Sequence, residues 1–384
     1  MKRRICVVIG SRANYSSIQS AMAAIAAHPD LELQVVAGAS AVLDRYGTVA
    51  DLVERDGFAV GTRVHMLIEG ETLATMAKST GLGLLELPSV FERLKPDIVL
   101  TVGDRFETMA TTLSAAYMNI PIAHTMGGEV SGTIDESIRH AVTKFAHIHF
   151  PASDDARDRI VQLGERPQDV YLVGCPRIDL VATILASDAT AALAGLFDQG
   201  VGDRLDLDRA FLLVSQHPVT TEYGEGERQI TGTLEAAQAS GLPAIVLWPN
   251  ADAGSEDVSR GIRKWRERGL GKNMHFFKNL PTHTYVHLMA RTACLIGNSS
   301  SGVREGAFIG TPVVNIGSRQ DGRRRSANVI DVPHGSGVID ALKRQLSHGR
   351  YERDPIYGDG KAGARIAEVL ATKMDIQIQK RITY

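Results

Sequence analysis

Short apolar runs along the chain alternate with segments whose apolar residues recur at helical spacing. In RICVVIGSRANYSSIQSAMAAIAAH a β-branched run ends at Gly10, and Ile18, Met22 and Ile25 then follow one face of a helix. The same rhythm returns in DIVLTVGDRFETMATTLSAAYM and in ACLIGNSSSGVREGAF. Runs that are apolar throughout indicate parallel strands covered on both faces, and their alternation with helices indicates βαβ units.

The number and placing of these runs predict the fold class. About a dozen strands are expected, roughly half before residue 180 and half after residue 205. This pattern predicts an α/β protein with two doubly wound Rossmann-like domains, at residues 1–180 and 181–360. A length of 384 residues is too great for one ordinary core and sufficient for two.

Composition narrows the classes of function. Hydrophobic residues make up 44% and charged residues 22% of the chain, which is typical of a soluble globular protein. The net charge is -2 and no basic block is longer than GRRRS, so nucleic acid is not expected as a partner. No apolar stretch is long enough for a bilayer. Three widely spaced cysteines indicate neither disulfides nor a metal site, so a reducing cytoplasm is the expected compartment.

Residues 61–90 are the least regular part of the first half. Gly70, Gly81, Gly83 and Pro88 interrupt a helical pattern there. A glycine-dotted stretch near the first domain's site indicates either a mobile flap or a bent packing helix, and the sequence leaves both open.

Candidate site residues follow the apolar runs, because ligands of open parallel sheets bind beyond the carboxyl ends of the strands. If the two sheets face each other, both sets of residues line one cleft. In the first half these are Ser11, Arg12, Asp104, Arg105 and the segment HTMGGEVSGTIDESIRH at 124–140; in the second half they are His217, Asn250, Asn298–Ser301 and Arg319.

The segment GNSSSG at 297–302 is a candidate phosphate site. Small residues at the start of a helix let main-chain N–H groups approach an anion, and the serine hydroxyls add donors. Ordinary N-capping by serine explains the same residues equally well. Arg12 and Arg319, at other strand ends, supply the charge that a diphosphate requires.

Two further polar residues each allow a catalytic and a structural role. His217 follows the apolar run FLLVS and could donate to a phosphate, act as an acid, or only cap a turn. Asp104 could be a cleft carboxylate, held ionised if Arg105 paired with it, or a helix N-cap. His283 and His287 have the i, i+4 spacing of metal ligands but no third ligand near them, so no metal is expected. Neither a Gly-x-Gly-x-x-Gly nor a Walker sequence occurs.

Eight motifs, in order along the chain, resemble one enzyme family. They are GSRANYSSI, VGDRFET, GGEVSGTIDESIRHAVTK, QHPVTTEY, PNADAGS, GNSSSGVREGAF, NIGSRQDGR and YGDG. Together they are similar to the hydrolysing UDP-N-acetylglucosamine 2-epimerases of bacterial sialic-acid pathways and of the bifunctional animal enzyme. The resemblance implies two Rossmann-like domains of the GT-B type facing a cleft, with residues 361–384 returning to the first domain.

The resemblance also implies a reaction. In this family UDP leaves C1 of the sugar while a proton leaves C2, which gives a 2-acetamidoglucal. Water then adds to yield N-acetylmannosamine, and no redox cofactor takes part. The expected partner is UDP-N-acetylglucosamine or a related UDP-sugar, bound by a homo-dimer or homo-tetramer.

Individual residues acquire roles by the same resemblance. Acids tied to catalysis match Asp104, Asp135 and Glu136, although acids at 135 and 136 also suit the electrostatics of a helix start. His217 is both a candidate catalytic residue and a candidate UDP contact. The positions that match UDP contacts in the family are Arg12, Ser16, Arg105, His217, Asn250, Ser299, Ser300, Glu305 and Arg319.

One position departs from the family pattern. A glutamate that is a leading catalytic candidate is replaced here by Met126, which cannot accept a proton. Glu129, just past the Gly-Gly pair, is the first candidate for the missing base, and Asp104 is the second. The Glu129 carboxylate could equally anchor the loop, for example to Arg139.

Four functions therefore remain possible. The order of the motifs favours a hydrolysing 2-epimerase. The alternatives are a non-hydrolysing 2-epimerase, a UDP-sugar hydrolase or glycosyltransferase that leaves C2 unchanged, and a UDP-sugar sensor without turnover. Met126 is the residue that keeps the last two in consideration.

Overall fold

The computed structural model describes residues 2–44, 48–70, 72–131, 134–249, 254–335 and 337–383. Within these residues the chain divides into two compact units. The first unit comprises Met1–Val130, Ile134–Leu180 and Gly358–Tyr384, apart from the undescribed positions. The second comprises Val181–Tyr357, to which Ser131 also belongs.

The first unit is built on a parallel sheet whose strand order is β3-β2-β1-β4-β5-β6. The order reverses between β1 and β4, and this is the point at which doubly wound sheets bind ligands. The strands are β1 (Arg3–Ile9), β2 (Leu31–Gly38), β3 (Val60–Val64), β4 (Ile98–Val102), β5 (Ile122–Thr125) and β6 (Ile148–Phe150).

Helices cover this sheet. One-turn 3₁₀ helices lie at Ala39–Val42 and Pro167–Asp169. The α-helices of the first half of the chain are α1 (Arg12–Ser16), α2 (Gln19–Ala27), α3 (Val49–Arg55), α4 (Leu73–Leu94), α5 (Phe106–Tyr117), α6 (Ile134–Phe145), α7 (Asp154–Gln162) and α8 (Pro176–Leu185).

The second unit has a sheet in the order β13-β12-β11-β8-β9-β10-β7, parallel except that β7 runs antiparallel to β10 at one edge. Its strands are β7 (Val201–Gly202), β8 (Leu212–Ser215), β9 (Ala244–Leu247), β10 (Met274–Phe277), β11 (Cys294–Gly297), β12 (Val313–Ile316) and β13 (Val329–Val332). Short 3₁₀ helices lie at Leu196–Asp198 and Thr220–Glu222. The α-helices are α9 (Ala189–Leu193), α10 (Gly226–Ala239), α11 (Ser255–Glu267), α12 (Thr282–Arg291), α13 (Ser300–Val303), α14 (Glu305–Ile309) and α15 (Val338–His348).

The apolar runs are buried on both faces of each sheet. In β1, Ile5 and Val7 belong to one hydrophobic cluster of the first unit, whereas Cys6 and Val8 belong to the cluster on the opposite face. Successive side chains of a strand point to opposite faces, so a strand with helices on both sides needs an unbroken apolar run. The doubly wound α/β class predicted from these runs is therefore confirmed for both units.

The end of the chain returns to the first unit through α16 (Ala362–Thr372). Ile366 and Leu370 of this helix join the same buried cluster as Met22 and Ile25 of α2. The Arg3 guanidinium donates to the main-chain oxygen of Leu370 at 2.6 Å, which satisfies a carbonyl at the helix end. The predicted return of the C-terminal helix to the first domain is confirmed.

Residues 73–94 form one long helix, α4, with Pro88 inside it. A Cβ placed on Gly83 would lie 2.8 Å from the Cβ of Ala110 on α5 and 2.6 Å from the terminal methyl of Met66. Glycine at 83 therefore permits a close helix-to-helix approach. Of the two alternatives for this region, the structure supports the packing helix.

Two searches of the described residues bear on membranes and metals. No single helix there has both the length and the apolar character to span a bilayer; the helices Pro176–Leu185 and Ala189–Asp198, bent by 102°, meet those criteria only as a pair. In the same part of the chain, no group of three His, Cys, Asp or Glu side chains is placed to hold a metal ion.

Candidate active site

Arg12 lies at the carboxyl end of β1, where it begins α1. The preceding Ser11 caps this helix by accepting a hydrogen bond from the main-chain N–H of Asn14 at 3.2 Å. The Asn14 amide also donates to the main-chain oxygen of Val102 at 3.1 Å, which ties the ends of β1 and β4 together. Burial lowers the pKa of Arg12, with a further contribution from the charge of Arg55. A half-buried guanidinium at this point is suited to an anionic ligand.

Ser16 lies at the other end of α1 and is buried. Its hydroxyl donates to the main-chain oxygen of Ala13 at 3.2 Å. The structure thus places Ser16 one turn from Arg12 on the same short helix.

Asp104 lies just after β4 and forms an ion pair with Arg139 of α6. The Arg139 side chain is 1% exposed, and its Nε donates to the Asp104 carboxylate at 2.9 Å. Another nitrogen of Arg139 donates to the main-chain oxygen of Glu129 at 2.7 Å. Arg139 therefore holds the ends of β4 and of the loop after β5 in one arrangement.

This arrangement changes the pairing expected from the sequence. Arg105 had been considered as the partner of Asp104, and Arg139 as an anchor for the Glu129 carboxylate. The structure gives Asp104 a buried partner 35 positions away, Arg139, and Arg139 reaches Glu129 through its main chain. Sequence proximity suggested Arg105, but the helix α6 crosses the strand end and brings Arg139 there instead.

Glu107, which the sequence analysis did not single out, is the acid beside Arg105. Its carboxylate lies 3.2 Å from Nε of Arg105 and is 4% exposed. A Cβ placed on Gly10 would lie 2.2 Å from Cγ of Glu107, so only glycine at position 10 leaves room for this carboxylate. The signal that could have revealed it is the spacing of Asp104, Arg105 and Glu107 in GDRFE at a strand end.

His124, in β5, is fully buried and has a structural role. Burial lowers its pKa to about 3, so the ring is neutral at ordinary pH. Its Nε2 lies 2.9 Å from the main-chain oxygen of Gly103, and a carbonyl oxygen only accepts, so Nε2 carries the proton. Its Nδ1 lies 3.4 Å from the hydroxyl of Thr143. The imidazole thus joins β5 to the loop after β4 and to α6.

The Gly-Gly pair after β5 is required for close packing. A Cβ on Gly127 would lie 2.9 Å from Nδ1 of His124, and one on Gly128 would lie 2.1 Å from the main-chain oxygen of Ala156. Gly128 also has φ +74, in the region that favours glycine. Met126 before it has φ +61, and its N–H donates to Phe150 at 3.0 Å. This loop is therefore closely packed against α6 and α7.

Three acids follow in this region. Glu129 is 4% exposed and lies in the segment whose main chain Arg139 holds. Asp135 and Glu136 lie in the first turn of α6, where negative charge is favourable. Glu136 lies 3.6 Å from Nε2 of His140 one turn later. The structure therefore keeps both explanations of Asp135 and Glu136, the catalytic and the helix-terminal one.

Acid is expected to destabilise the protein through His124. The ring has a pKa of about 3 in the folded chain and 6.5 ordinarily, so below pH 6.5 the unfolded chain binds a proton that the folded chain does not. The stability from this site is complete above pH 6.5 and declines as the pH falls toward 3. By about pH 5 the loss amounts to about 2 kcal/mol.

Urea unfolding of the unchanged protein and of His124→Gln at about pH 7 and about pH 5 checks this. The variant is less stable at the higher pH but loses less on acidification, because glutamine does not titrate. An identical loss in both proteins contradicts the role of His124, since the remaining buried groups are common to the two.

The second unit contains the serine turn, Ser299–Ser301, between β11 and α13. Ser299 is the N-cap of α13, and its hydroxyl accepts from the N–H of Ser301 at 3.4 Å. Ser299 and Ser301 share a hydrogen bond between hydroxyls at 2.8 Å, and Tyr285 joins Ser301 at 2.6 Å. Ser300 begins α13 and is partly exposed. The turn therefore presents several hydroxyls supported from behind by a tyrosine.

The remaining predicted residues of this unit lie at neighbouring strand ends. His217 follows β8 and is buried, and Glu305 begins α14 and is buried. Arg319 follows β12, with one nitrogen 3.4 Å from the main-chain oxygen of Asn298. Asn250 lies outside the described residues. Apart from Asn250, the structure gathers the predicted residues of this unit at the carboxyl ends of β8, β11 and β12.

The fold and these residues define a doubly wound α/β protein of the kind that binds nucleotides at the carboxyl ends of its strands. The sequence pattern of UDP-N-acetylglucosamine 2-epimerase matches residues 23–371. The chain belongs to the UDP-N-acetylglucosamine 2-epimerase family.

Two relatives and one crystal structure illustrate the likeness. UDP-N,N'-diacetylbacillosamine 2-epimerase (hydrolyzing) of Legionella pneumophila is 32% identical over 97% of this chain and 96% of that one. UDP-N-acetylglucosamine 2-epimerase of Neisseria meningitidis is 28% identical over 99% and 98%. The crystal structure of UDP-GlcNAc 2-epimerase from Neisseria meningitidis bound to UDP-GlcNAc shares the fold, with a TM-score of 0.80 and 17% identity over 96% of this chain and 99% of that one. The resemblance found in the motifs is confirmed.

Proposed function

We propose that this protein is a hydrolysing 2-epimerase that converts UDP-N-acetylglucosamine, or a relative modified on the sugar, to the manno-configured sugar and UDP. The observation that carries the proposal is the likeness over almost the whole chain to a relative whose name specifies a hydrolysing 2-epimerase. The motif order in GGEVSGTIDESIRH and GNSSSGVREGA supports the same type.

The proposed reaction is an elimination followed by hydration. A base takes the proton from C2 while the C1–O bond breaks, so that UDP departs and a 2-acetamidoglucal forms. Water then supplies a hydroxyl to C1 and a proton to C2 from the opposite face. UDP leaves with negative charge developing on its diphosphate, which donors and cations at the site stabilise.

Residues of the second unit are proposed to bind UDP. The serine turn and Arg319 offer hydroxyls, main-chain N–H groups and a guanidinium to the diphosphate. His217 is proposed to donate to the departing oxygen, because it is buried at the adjoining strand end and an imidazole can transfer a proton near neutral pH. Glu305 is proposed to bind the ribose by resemblance to the family.

Residues of the first unit are proposed to carry the chemistry at C2. Asp104 is engaged by two nitrogens of Arg139, and taking a proton would break that ion pair. Asp104 is therefore a poor base and suits a supporting role. Glu129 is nearly buried, and its segment is held by Arg139, so a carboxylate there has the fixed position and the low-dielectric surroundings that proton removal requires. We propose Glu129 as the base that replaces the family glutamate at Met126.

One assay tests the function. The protein is incubated with UDP-N-acetylglucosamine in deuterated water, in parallel with the UDP-N,N'-diacetylbacillosamine that the Legionella relative's name specifies. A free manno-configured sugar with deuterium at C2 supports the proposal, and the faster of the two substrates identifies the sugar. A product still linked to UDP indicates the non-hydrolysing reaction.

Met126 favours one second candidate, a UDP-sugar hydrolase that does not epimerise. Methionine provides no base at the position where the family has its glutamate. In the same assay such an enzyme releases the gluco-configured sugar without deuterium. UDP binding without turnover of either substrate indicates a sensor.

Arg12→Ala is expected to weaken UDP binding about 10- to 100-fold, because it removes a charge-assisted hydrogen bond donor at the end of β1. Isothermal titration calorimetry with UDP measures the change. Arg4→Ala is the control: Arg4 lies at the opposite end of the same strand and pairs with Asp97 at 3.1 Å. Equal UDP affinity of the Arg12 and Arg4 variants would remove Arg12 from the site.

A further inference from the structure

Asn298 lies at the end of β11 and is fully buried. Its side-chain oxygen accepts from the main-chain N–H of His217 at 2.7 Å, and its side-chain nitrogen donates to the main-chain oxygen of the same residue at 2.9 Å. One amide side chain thus pairs with both polar groups of one peptide-bonded residue, much as a neighbouring strand would. This pairing holds the main chain of His217 beyond the last ladder bond of β8.

The main chain of Asn298 makes a second set of contacts. Its carbonyl oxygen accepts from Nε2 of Gln320 at 2.9 Å and from a guanidinium nitrogen of Arg319 at 3.4 Å. Its N–H donates to the oxygen of Ser215 at 3.1 Å. Asn298 therefore connects the residues that follow β8, β11 and β12.

The local backbone fits this connection. Gly297 has φ +131, and a Cβ there would lie 2.2 Å from the main-chain oxygen of Ser215. Only glycine at 297 lets β11 end so close to β8, which brings the Asn298 amide within reach of His217. After His217, Pro218 has no N–H, so the main chain there has fewer ladder bonds of its own to hold it.

We propose that Asn298 is a positioning residue that sets the geometry of His217 and Arg319 relative to the serine turn. The inference rests on the proposed function for the roles of His217 and Arg319, and it adds a residue that touches no substrate. Asparagine is required because its amide offers a donor and an acceptor side by side. Aspartate keeps the acceptor but places a carboxylate oxygen against the carbonyl of His217.

The first experiment reads the main chain and does not depend on activity. Hydrogen–deuterium exchange of the segment around His217 is compared in the unchanged protein, Asn298→Ala, Asn298→Asp and Asn315→Ala. Asn315 is the matched control, a buried asparagine of β12 whose amide donates to Asp331 at 2.7 Å and not to the site. Faster exchange at His217 is expected in both Asn298 variants only. Equal exchange in all four proteins overturns the proposal.

The second experiment reads the reaction through a double-mutant cycle. Asn298→Ala is expected to lower kcat about 100-fold, because a misplacement near 1 Å has that effect on catalysis. If Asn298 acts through His217, adding Asn298→Ala to His217→Ala lowers kcat by no more than about threefold further. Losses that multiply, or a loss no larger than that of Asn315→Ala, overturn the proposal in favour of a purely structural role.

Failure of the proposed function is separable from failure of this inference. If the unchanged protein turns over no UDP-sugar, the proposed function is wrong, and the exchange measurement alone decides whether Asn298 holds His217. If the unchanged protein is active and His217→Ala retains full activity, His217 has no role in the reaction, and the positioning role of Asn298 is overturned with it.

Discussion

Glu129→Gln is expected to stop the removal of the C2 proton while leaving UDP affinity unchanged. Glutamine keeps the size of the side chain but cannot take a proton, and loss of a general base typically lowers the rate about 10²- to 10⁴-fold. The measurements are deuterium incorporation at C2 of the sugar and calorimetric binding of UDP. Because Arg139 holds Glu129 through its main-chain oxygen, the substitution leaves the loop anchored.

Glu107→Gln is the matched control for this prediction. Glu107 is an equally buried acid of the same unit, but its neighbour is Arg105, a predicted UDP contact. This variant is expected to show the opposite pattern, with weaker UDP binding and retained C2 exchange. Persistent exchange in Glu129→Gln, together with its loss in Asp104→Asn, would assign the base to Asp104.

Arg139→Met is expected to lower the free energy of unfolding by about 3–5 kcal/mol, because it leaves the Asp104 carboxylate without its buried partner. It also removes the donor to the main-chain oxygen of Glu129. Urea unfolding at neutral pH measures the loss. Removing both charges, in Arg139→Met with Asp104→Asn, is expected to restore much of the stability, since no uncompensated charge then remains.

Arg159→Met is the control for Arg139. Arg159 of α7 also donates to a main-chain oxygen of this loop, that of Gly128, but its side chain is 29% exposed and its partner Asp155 is 34% exposed. Its replacement is expected to cost less than about 1 kcal/mol. Similar losses for Arg139 and Arg159 would mean that burial of the ion pair contributes little.

The strands and their connections could be predicted from the sequence because both faces of each sheet are covered. In β4 every residue from Ile98 to Val102 is buried, so the run is apolar except for Thr101, and no alternation obscures it. The same reasoning located Arg12, Asp104, His217 and the serine turn at strand ends. Those positions follow from chain direction alone, since parallel strands end at one edge of the sheet.

The partners of these residues could not be predicted, because they come from distant parts of the chain. Arg139 reaches Asp104 across 35 positions, and Asn298 reaches His217 across 81. His124 carries the sequence signature of a proton donor, but its burial makes it a neutral structural group. Sequence proximity favoured Arg105 as the neighbour of Asp104, whereas helix packing decided for Arg139.

The sequence by itself determined the α/β class, the strand-end positions of the candidate residues, the family and the departure at Met126. These depend on local apolar runs, on chain direction and on motif order, all of which are visible in one dimension. Only the tertiary structure decided which carboxylate is engaged by an arginine, which histidine is buried and neutral, and which glycines allow close contact. Charge pairing and burial depend on distances between segments that the chain brings together only when its helices pack on its sheets.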